Sequence, residues 1–159
     1  MNYRAGIFIF IISLISYANA FQNSFHFDDQ HYVVENPFIR DIGNIPHFFA
    51  SPSYSSFEKT FSAHYRPLVV SSFALNYAIG GLNPVGYHLV NWTFHVGSAF
   101  LVFLIVRAML RVVNTGTHDF PALAAGVIFA VHPFNSEVVN YITARSSVMC
   151  SFFYLLAFW

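Results

Sequence analysis

Two adjacent carboxylates, Asp28 and Asp29, follow an apolar stretch that ends at Phe21. Like charges held that close, near a low-dielectric surface, push one of the two pKa values upward. A carboxylate tuned toward neutral pH can serve as a general base. The same doublet also suits a helix cap or a solvated loop. Arg66 precedes Pro67, a residue that fits the first position of a helix. Its guanidinium therefore stands where an anionic headgroup or phosphate would arrive; snorkelling, or pairing with Glu58, is the alternative use. His64 lies two residues upstream and joins it as a candidate cavity residue. His88, Asn91, His95 and Ser98 recur three or four residues apart and share one helical face. Polar groups face lipid only at a cost, so that face lines either a cavity or a helix–helix seam. Downstream of His132, the residues Glu137, Tyr141 and Arg145 fall four apart, one above the other if helical. A charged pair entering a membrane helix marks function by default, with an intrahelical Glu–Arg neutralisation as the plainer reading.

Membrane helices must position these groups. The 159 residues are 56% hydrophobic and only 9% charged, which is too little charge to dress a water-facing surface. Mean hydropathy is +0.53. Aromatic residues reach 19%, as lipid contact and interfacial belts favour. Hydropathy predicts spans over residues 5–21, 86–111 and 121–131, and a fourth over 146–159. The first can be read as a signal peptide, with 18–20 as a small-residue cleavage site, or as an uncleaved anchor; the later spans favour the anchor. Residues 67–79 are apolar but too short to span, with Ser72, Asn76 and Gly80 forming a narrow polar stripe. This segment is expected to lie along the outer leaflet. Asn91-Trp92-Thr93 is formally a glycosylation sequon, dismissed because it falls inside a span.

Positive-inside logic puts Arg4, Arg107 and Arg111 on the cytoplasmic side, with the two arginines of the second span snorkelling toward headgroups. The loop of 22–85 and the turn around 132–146 are then outside, so all the candidate residues gather on one face. Formal net charge is zero, giving no basic field for nucleic acid. The single Cys150 excludes an intrachain disulfide, and no C-x-x-C or H-E-x-x-H string supports a zinc site. The last apolar run is shorter than the roughly 20 residues a span needs, so the sequence reads as a partial membrane domain, a piece of a longer protein.

The string Phe27-Asp28-Asp29-x-x-Tyr32-Val33-x-x-Asn36-Pro37 resembles the first-loop motif of the transmembrane and tetratricopeptide-repeat protein O-mannosyltransferases and their bacterial relatives. So do Tyr65-Arg66-Pro67-Leu68, Gly81-Leu82-Asn83-Pro84, Gly86 through Asn91 with His95, His132-Pro133, Glu137-Val138-Val139 and Ala144-Arg145-Ser146. The likeness covers the chain from about Phe25 onward; many relatives carry Gly-Arg-Ala where Ala144-Arg145-Ser146 stands. It implies an all-α polytopic fold of the GT-C glycosyltransferase type, represented by its N-terminal helices with an outer amphipathic helix and without the family's later helices and repeat array. It implies a bacterial inner-membrane or endoplasmic-reticulum enzyme that moves a sugar, mannose by likeness, from a polyprenyl-phosphate donor to a protein hydroxyl. Asp28 would be the base and Asp29 its acidic neighbour, with Arg66 and Arg145 as chemical candidates for the lipid phosphate. His64, His88, Asn91, His95, His132 and Glu137 would line the cavity. The likeness leaves a divalent-metal requirement open. A non-enzymatic transporter or assembly subunit, or an inactive remnant, is the competing reading.

Overall fold

A computed structural model describes residues 2–56, 65–113, 116 and 118–159. Among the described residues there are helices and turns and no strands, and the chain is an all-α membrane protein. Helix α1 (Asn2–Tyr17) runs on through a 3-10 turn, so that Tyr3–Gln22 gives a 20-residue apolar rod. Short turns carry the chain to α2 (Ile45–Ala50); α3 (Pro67–Gly80) is the next α-helix described. Helix α4 (Pro84–Val112) is 29 residues long and is the other helix long and apolar enough to cross a bilayer unaided. Helix α5 (Asp119–Val131) is shorter; with the segment Pro133–Asn140, which contains α6 (Ser136–Asn140), it makes a rod bent by 48°. Helix α7 (Arg145–Phe158) closes the chain.

One local device starts many of these elements. At Asn36-Pro37, Ser51-Pro52, Asn83-Pro84 and His132-Pro133 the residue before proline is extended, and its side chain accepts the N–H two residues on. Proline forbids the helical conformation to its predecessor and needs no donor partner itself, so the pair fixes where each turn or helix begins. Helix α3 stops at Gly81, whose φ of 59° only glycine adopts freely.

Side-chain contacts set the directions. Gly6 meets Phe100, the Trp92 indole donates to Ser13 Oγ at 3.1 Å, and Tyr17 packs edge-on to His95, so α1 is antiparallel to α4. Helix α5 is antiparallel to α4, from Arg107 against Asp119 at one end to His95 against Ala130 at the other. Helix α7 runs alongside α4 in the same direction, from Arg145 at Asn91 to Phe152 at Gly97. Ile9, Ala99, Phe103, Ala122 and Ala130 fill the seam of α1, α4 and α5. The loop between α1 and α4 builds a separate core of Tyr32, Val33, Ile39, Phe48, Val70, Phe73 and Tyr87, sealed by Ile142. The described residues of the loop thus sit at one end of the bundle; at the other, Arg4 and Asp119 line an apolar pocket and Arg107 pairs with Asp119.

Two expectations change. Arg107 is buried and ion-paired to Asp119 across the α4–α5 connection instead of snorkelling, because the chain reversal brings a carboxylate within reach. Glu137, Tyr141 and Arg145 do not share a helix: α6 ends at Asn140 and a 3-10 turn separates it from α7. Glu137 is exposed and Arg145 buried, so no internal Glu–Arg relay forms.

Glycine tests this packing. A Cβ at Gly126 would lie 3.0 Å from Phe103 Cβ and 3.1 Å from the Ala99 carbonyl, both anchored to α4. At Gly97 it would lie 2.7 Å from the Phe152 ring edge, which can swing away. We expect Gly126→Ala to lower stability by about 1–3 kcal/mol, and Gly97→Ala to cost less despite its shorter contact. Denaturant titration of the detergent-solubilised protein would measure the order; the reverse ranking would refute this account of the seam.

Candidate functional site

Asp28 and Asp29 adopt different environments despite being neighbours. Phe27 has φ 48°, the one positive value at a non-glycine among the described residues, and its ring is 85% exposed. That left-handed kink turns the doublet so that Asp29 enters the protein and Asp28 stays in the open. Such a backbone costs on the order of 1–3 kcal/mol and persists only where surrounding contacts enforce it. Here they do. Asp29 accepts the N–H of His26 through Oδ2 at 3.0 Å and that of Thr143 through Oδ1 at 2.9 Å. The Asp28 N–H donates to the Tyr141 hydroxyl at 3.2 Å, and the Phe27 ring stands edge-on to Tyr141. The first loop is therefore stitched to the turn after α6 at three points.

Burial pushes the Asp29 carboxyl above the ordinary carboxylate value of 3.8, opposed by its two backbone N–H bonds, the Thr143 hydroxyl and the His88 ring. Burial likewise raises the Tyr141 phenol, which both aspartates also influence. Burial also raises the Tyr32 phenol, with Arg66 pulling it down and Asp28 pushing it up to a smaller extent. Asp28 meets Tyr141, and Tyr32 and Arg66 line one recess. A cleft of about 450 Å³ beside Asp28 is lined by Asn23, His26, Phe27, Glu137, Asn140 and Tyr141. On the other side, Thr143 and Tyr32 share a small recess with Arg66 and Phe73.

Behind this surface lies Arg145, with no measurable exposure. Its Nε donates to Asn91 Oδ1 at 2.7 Å, one terminal nitrogen donates to Asn76 Oδ1 at 2.7 Å and Ser72 Oγ at 3.0 Å, and the other donates to the Tyr87 carbonyl at 2.9 Å. The guanidinium also lies 4.5 Å from the Phe73 ring centroid. The polar stripe of α3 is thus half of an arginine socket, and Asn91 of α4 is the other half. Asn91 Nδ2 then reaches the carbonyls of Val138, Tyr141 and Ile142, so the same residues that seat the arginine tie down the turn bearing Tyr141.

The other expected residues fall as follows. His88 donates from Nδ1 to the Val139 carbonyl at 3.0 Å, and His95 from Nε2 to Ala130 at 2.9 Å; both are buried. Ser98 bonds back to Phe94. The face expected to line a cavity is a packed polar seam, because backbone carbonyls freed by the turns after α5 and α6 take up its donors. Buried Asn91 also leaves the sequon inaccessible. His132 caps the turn that begins at Pro133, and Glu137 lines the cleft beside Phe27. Arg66 is exposed and donates to Ser146 Oγ at 3.4 Å. His64 and Glu58 lie outside the described residues. The spacing gave no sign of Thr143 or Tyr141 as partners of the aspartates, since both meet the loop across more than 110 residues of chain. No group of three or more His, Cys, Asp or Glu side chains among the described residues is arranged to hold a metal ion.

Over 92% of its length the chain is 34% identical to Protein O-mannosyl-transferase Tmtc1 of Drosophila melanogaster, covering 17% of that protein. It is 33% identical to Protein O-mannosyl-transferase TMTC4 of Homo sapiens, over 92% of this chain and 21% of the relative. With Protein O-mannosyl-transferase TMTC2 of Mus musculus the identity is 36%, over 92% of this chain and 17% of the relative. The chain spans about a fifth of the length of the curated relatives it matches. No family model and no solved structure matches it.

Two outcomes test this geometry. Arg145→Lys leaves three ammonium donors on a point charge where a planar fork served four acceptors, and should destabilise the fold by about 2–5 kcal/mol in a denaturant titration; wild-type stability would contradict the socket. Asp29 is raised in the fold, so the native state holds its proton longer than the unfolded chain. Stability should fall as pH rises from 3.8 through the folded value, and Asp29→Asn should remove that part of the slope. Stability that rises across the same window would contradict the assignment.

Proposed function

This chain is a homologue of the TMTC protein O-mannosyl-transferase family, and from that premise we propose that it forms the base-bearing part of a membrane glycosyltransferase of the GT-C type. The enzyme moves a mannosyl group from a polyprenyl-phosphate donor to a serine or threonine hydroxyl of a protein. The chain enters the membrane from the cytoplasm and crosses it several times, in a bacterial inner membrane or the endoplasmic reticulum. Arg4 and Arg111 at the end away from the loop favour that orientation. The loop end, with both aspartates, faces the outer or lumenal side.

One observation carries the chemistry. Asp28 is the exposed member of the doublet, fixed through its backbone by the Tyr141 hydroxyl and next to a fully tethered Asp29. In an inverting displacement the acceptor oxygen attacks the anomeric carbon and the Asp28 carboxylate takes the hydroxyl proton. The bond from that carbon to the phosphate oxygen breaks, and the polyprenyl phosphate leaves with the electron pair. No carboxylate nucleophile is needed, so one exposed base and one buried positioning carboxylate suffice. Arg66 is the available cation for the leaving phosphate. Arg145 acts through the elements it joins, with four of its five N–H donors already committed.

Asp28→Asn in the full-length enzyme should lower mannosyl transfer from polyprenyl-phosphate mannose to an acceptor peptide by about 10²–10⁴-fold. Membrane insertion and denaturant stability should stay at wild-type values. Transfer at the wild-type rate by that variant would rule Asp28 out as the base.

A further inference from the structure

At the end of the bundle away from the loop, three helices each carry a charge one turn beyond an apolar side chain. On α1, Arg4 stands four residues before Phe8; on α5, Asp119 stands four before Leu123; on α4, Arg107 stands four after Phe103. Residues four apart lie one above the other on a helix, so in each case the charge is nearer the helix end and the apolar group deeper. Phe8, Phe103 and Leu123 wall a pocket of about 380 Å³, which Arg4, Asp119 and Phe120 also line. Arg4 belongs to the first turn of a 20-residue apolar rod, and α4 ends at Val112. The charged rim therefore lies where hydrocarbon gives way to headgroups. That rim offers two opposite charges. Arg4 is exposed, and its Nε donates to the neighbouring Tyr3 hydroxyl at 3.3 Å; its terminal nitrogens have no partner among the described residues. Asp119 gives Oδ1 to Arg107 and keeps 43% of its side chain exposed, so Oδ2 can accept from a second donor.

We propose that this pocket seats a phosphatidylethanolamine: the phosphodiester lies on Arg4, the ammonium on the free oxygen of Asp119, and the first carbons of the acyl chains against Phe8, Phe103 and Leu123. The charge pattern selects the occupant. A wholly apolar molecule would leave both rim charges without a partner. A lipid anion without an ammonium would suit Arg4 but bring a second negative charge to Asp119. A choline headgroup carries the positive charge but has no N–H to donate. An ethanolamine headgroup supplies an anion for the guanidinium and three N–H donors for the carboxylate. The tails continue along Ile11 and Ile15, both exposed and on the same face of α1 as Phe8. Because Arg4 comes from α1 and Asp119 from α5, the bound headgroup bridges the starts of two helices. The seat is at the opposite end of the bundle from Asp28 and does not depend on the transfer chemistry.

Native mass spectrometry of the full-length protein in detergent, titrated with defined lipids, tests the seat. Phosphatidylethanolamine should bind about tenfold more tightly than phosphatidylcholine or phosphatidylglycerol, as the loss of one charged hydrogen bond predicts. The N-methyl and N,N-dimethyl headgroups should fall between, since each methyl removes a donor and keeps the charge. This series reads the Asp119 contact from the ligand side and leaves the Arg107–Asp119 pair intact. Arg4→Gln should abolish the preference. Arg111→Gln should keep it, because Arg111 is exposed near the same end of the bundle but does not line the pocket. Equal binding of the ethanolamine and choline lipids would overturn the proposal. Tighter binding of phosphatidylglycerol would overturn it in favour of a plain anion site. A preference that survives Arg4→Gln would place the lipid elsewhere on the protein and overturn it as well.

Discussion

A guanidinium buried without a contacting carboxylate is the constraint from which the rest of this fold follows. A buried ion is stable only when its donors are met, and here the partners come from two stretches of chain far from its own. Ser72 and Asn76 must arrive on α3, Asn91 and the Tyr87 carbonyl on α4, and Arg145 itself on α7. Seating it fixes the mutual position of those helices at the loop end of the bundle. The aromatic faces of Phe73 and Tyr87 complete the enclosure and exclude water, which strengthens each remaining interaction.

The consequences run outward to the exposed surface. Asn91 accepts from Arg145 and donates to the carbonyls after α6, so the turn holding Tyr141 and Thr143 cannot drift. Those two residues in turn hold the Asp28 N–H and the Asp29 carboxylate. Residue Phe27 can then stay in a left-handed conformation that an isolated loop would relax. The linked residues Arg145, Asn91, Tyr141 and Asp28 therefore connect a buried cation to the position of one exposed aspartate. The neighbouring aspartates divide into a buried, tethered carboxylate and an exposed one by which side of that kink each occupies.

The two ends of the bundle also part company in chemistry. Away from the loop, Arg107 and Asp119 neutralise each other across a short reversal and Arg4 borders an apolar pocket. At the loop end the charges of Asp28, Arg66 and Glu137 remain at the surface.

The amino-acid sequence by itself determined that the chain is helical and membrane-bound, because apolar runs, proline starts and glycine stops act locally. Helical segments at 67–79 and 86–111 and the one-face spacing of His88, Asn91, His95 and Ser98 were legible for the same reason, since helical period needs no knowledge of distant residues. What that face does was not legible: cavity and seam have identical spacing, and only the carbonyls of residues 130 and 138–142, brought in by two later turns, made it a seam. Likewise the doublet at 28 and 29 suited either a general base or a plain cap, and gave no sign of which aspartate would be buried. Tertiary structure decided that, and it decided that Arg145 would be a socketed cation while Arg66 stayed exposed. Burial and long-range hydrogen bonding set the protonation and reach of a charged group, and both depend on residues 50 to 114 positions away, which no local pattern encodes.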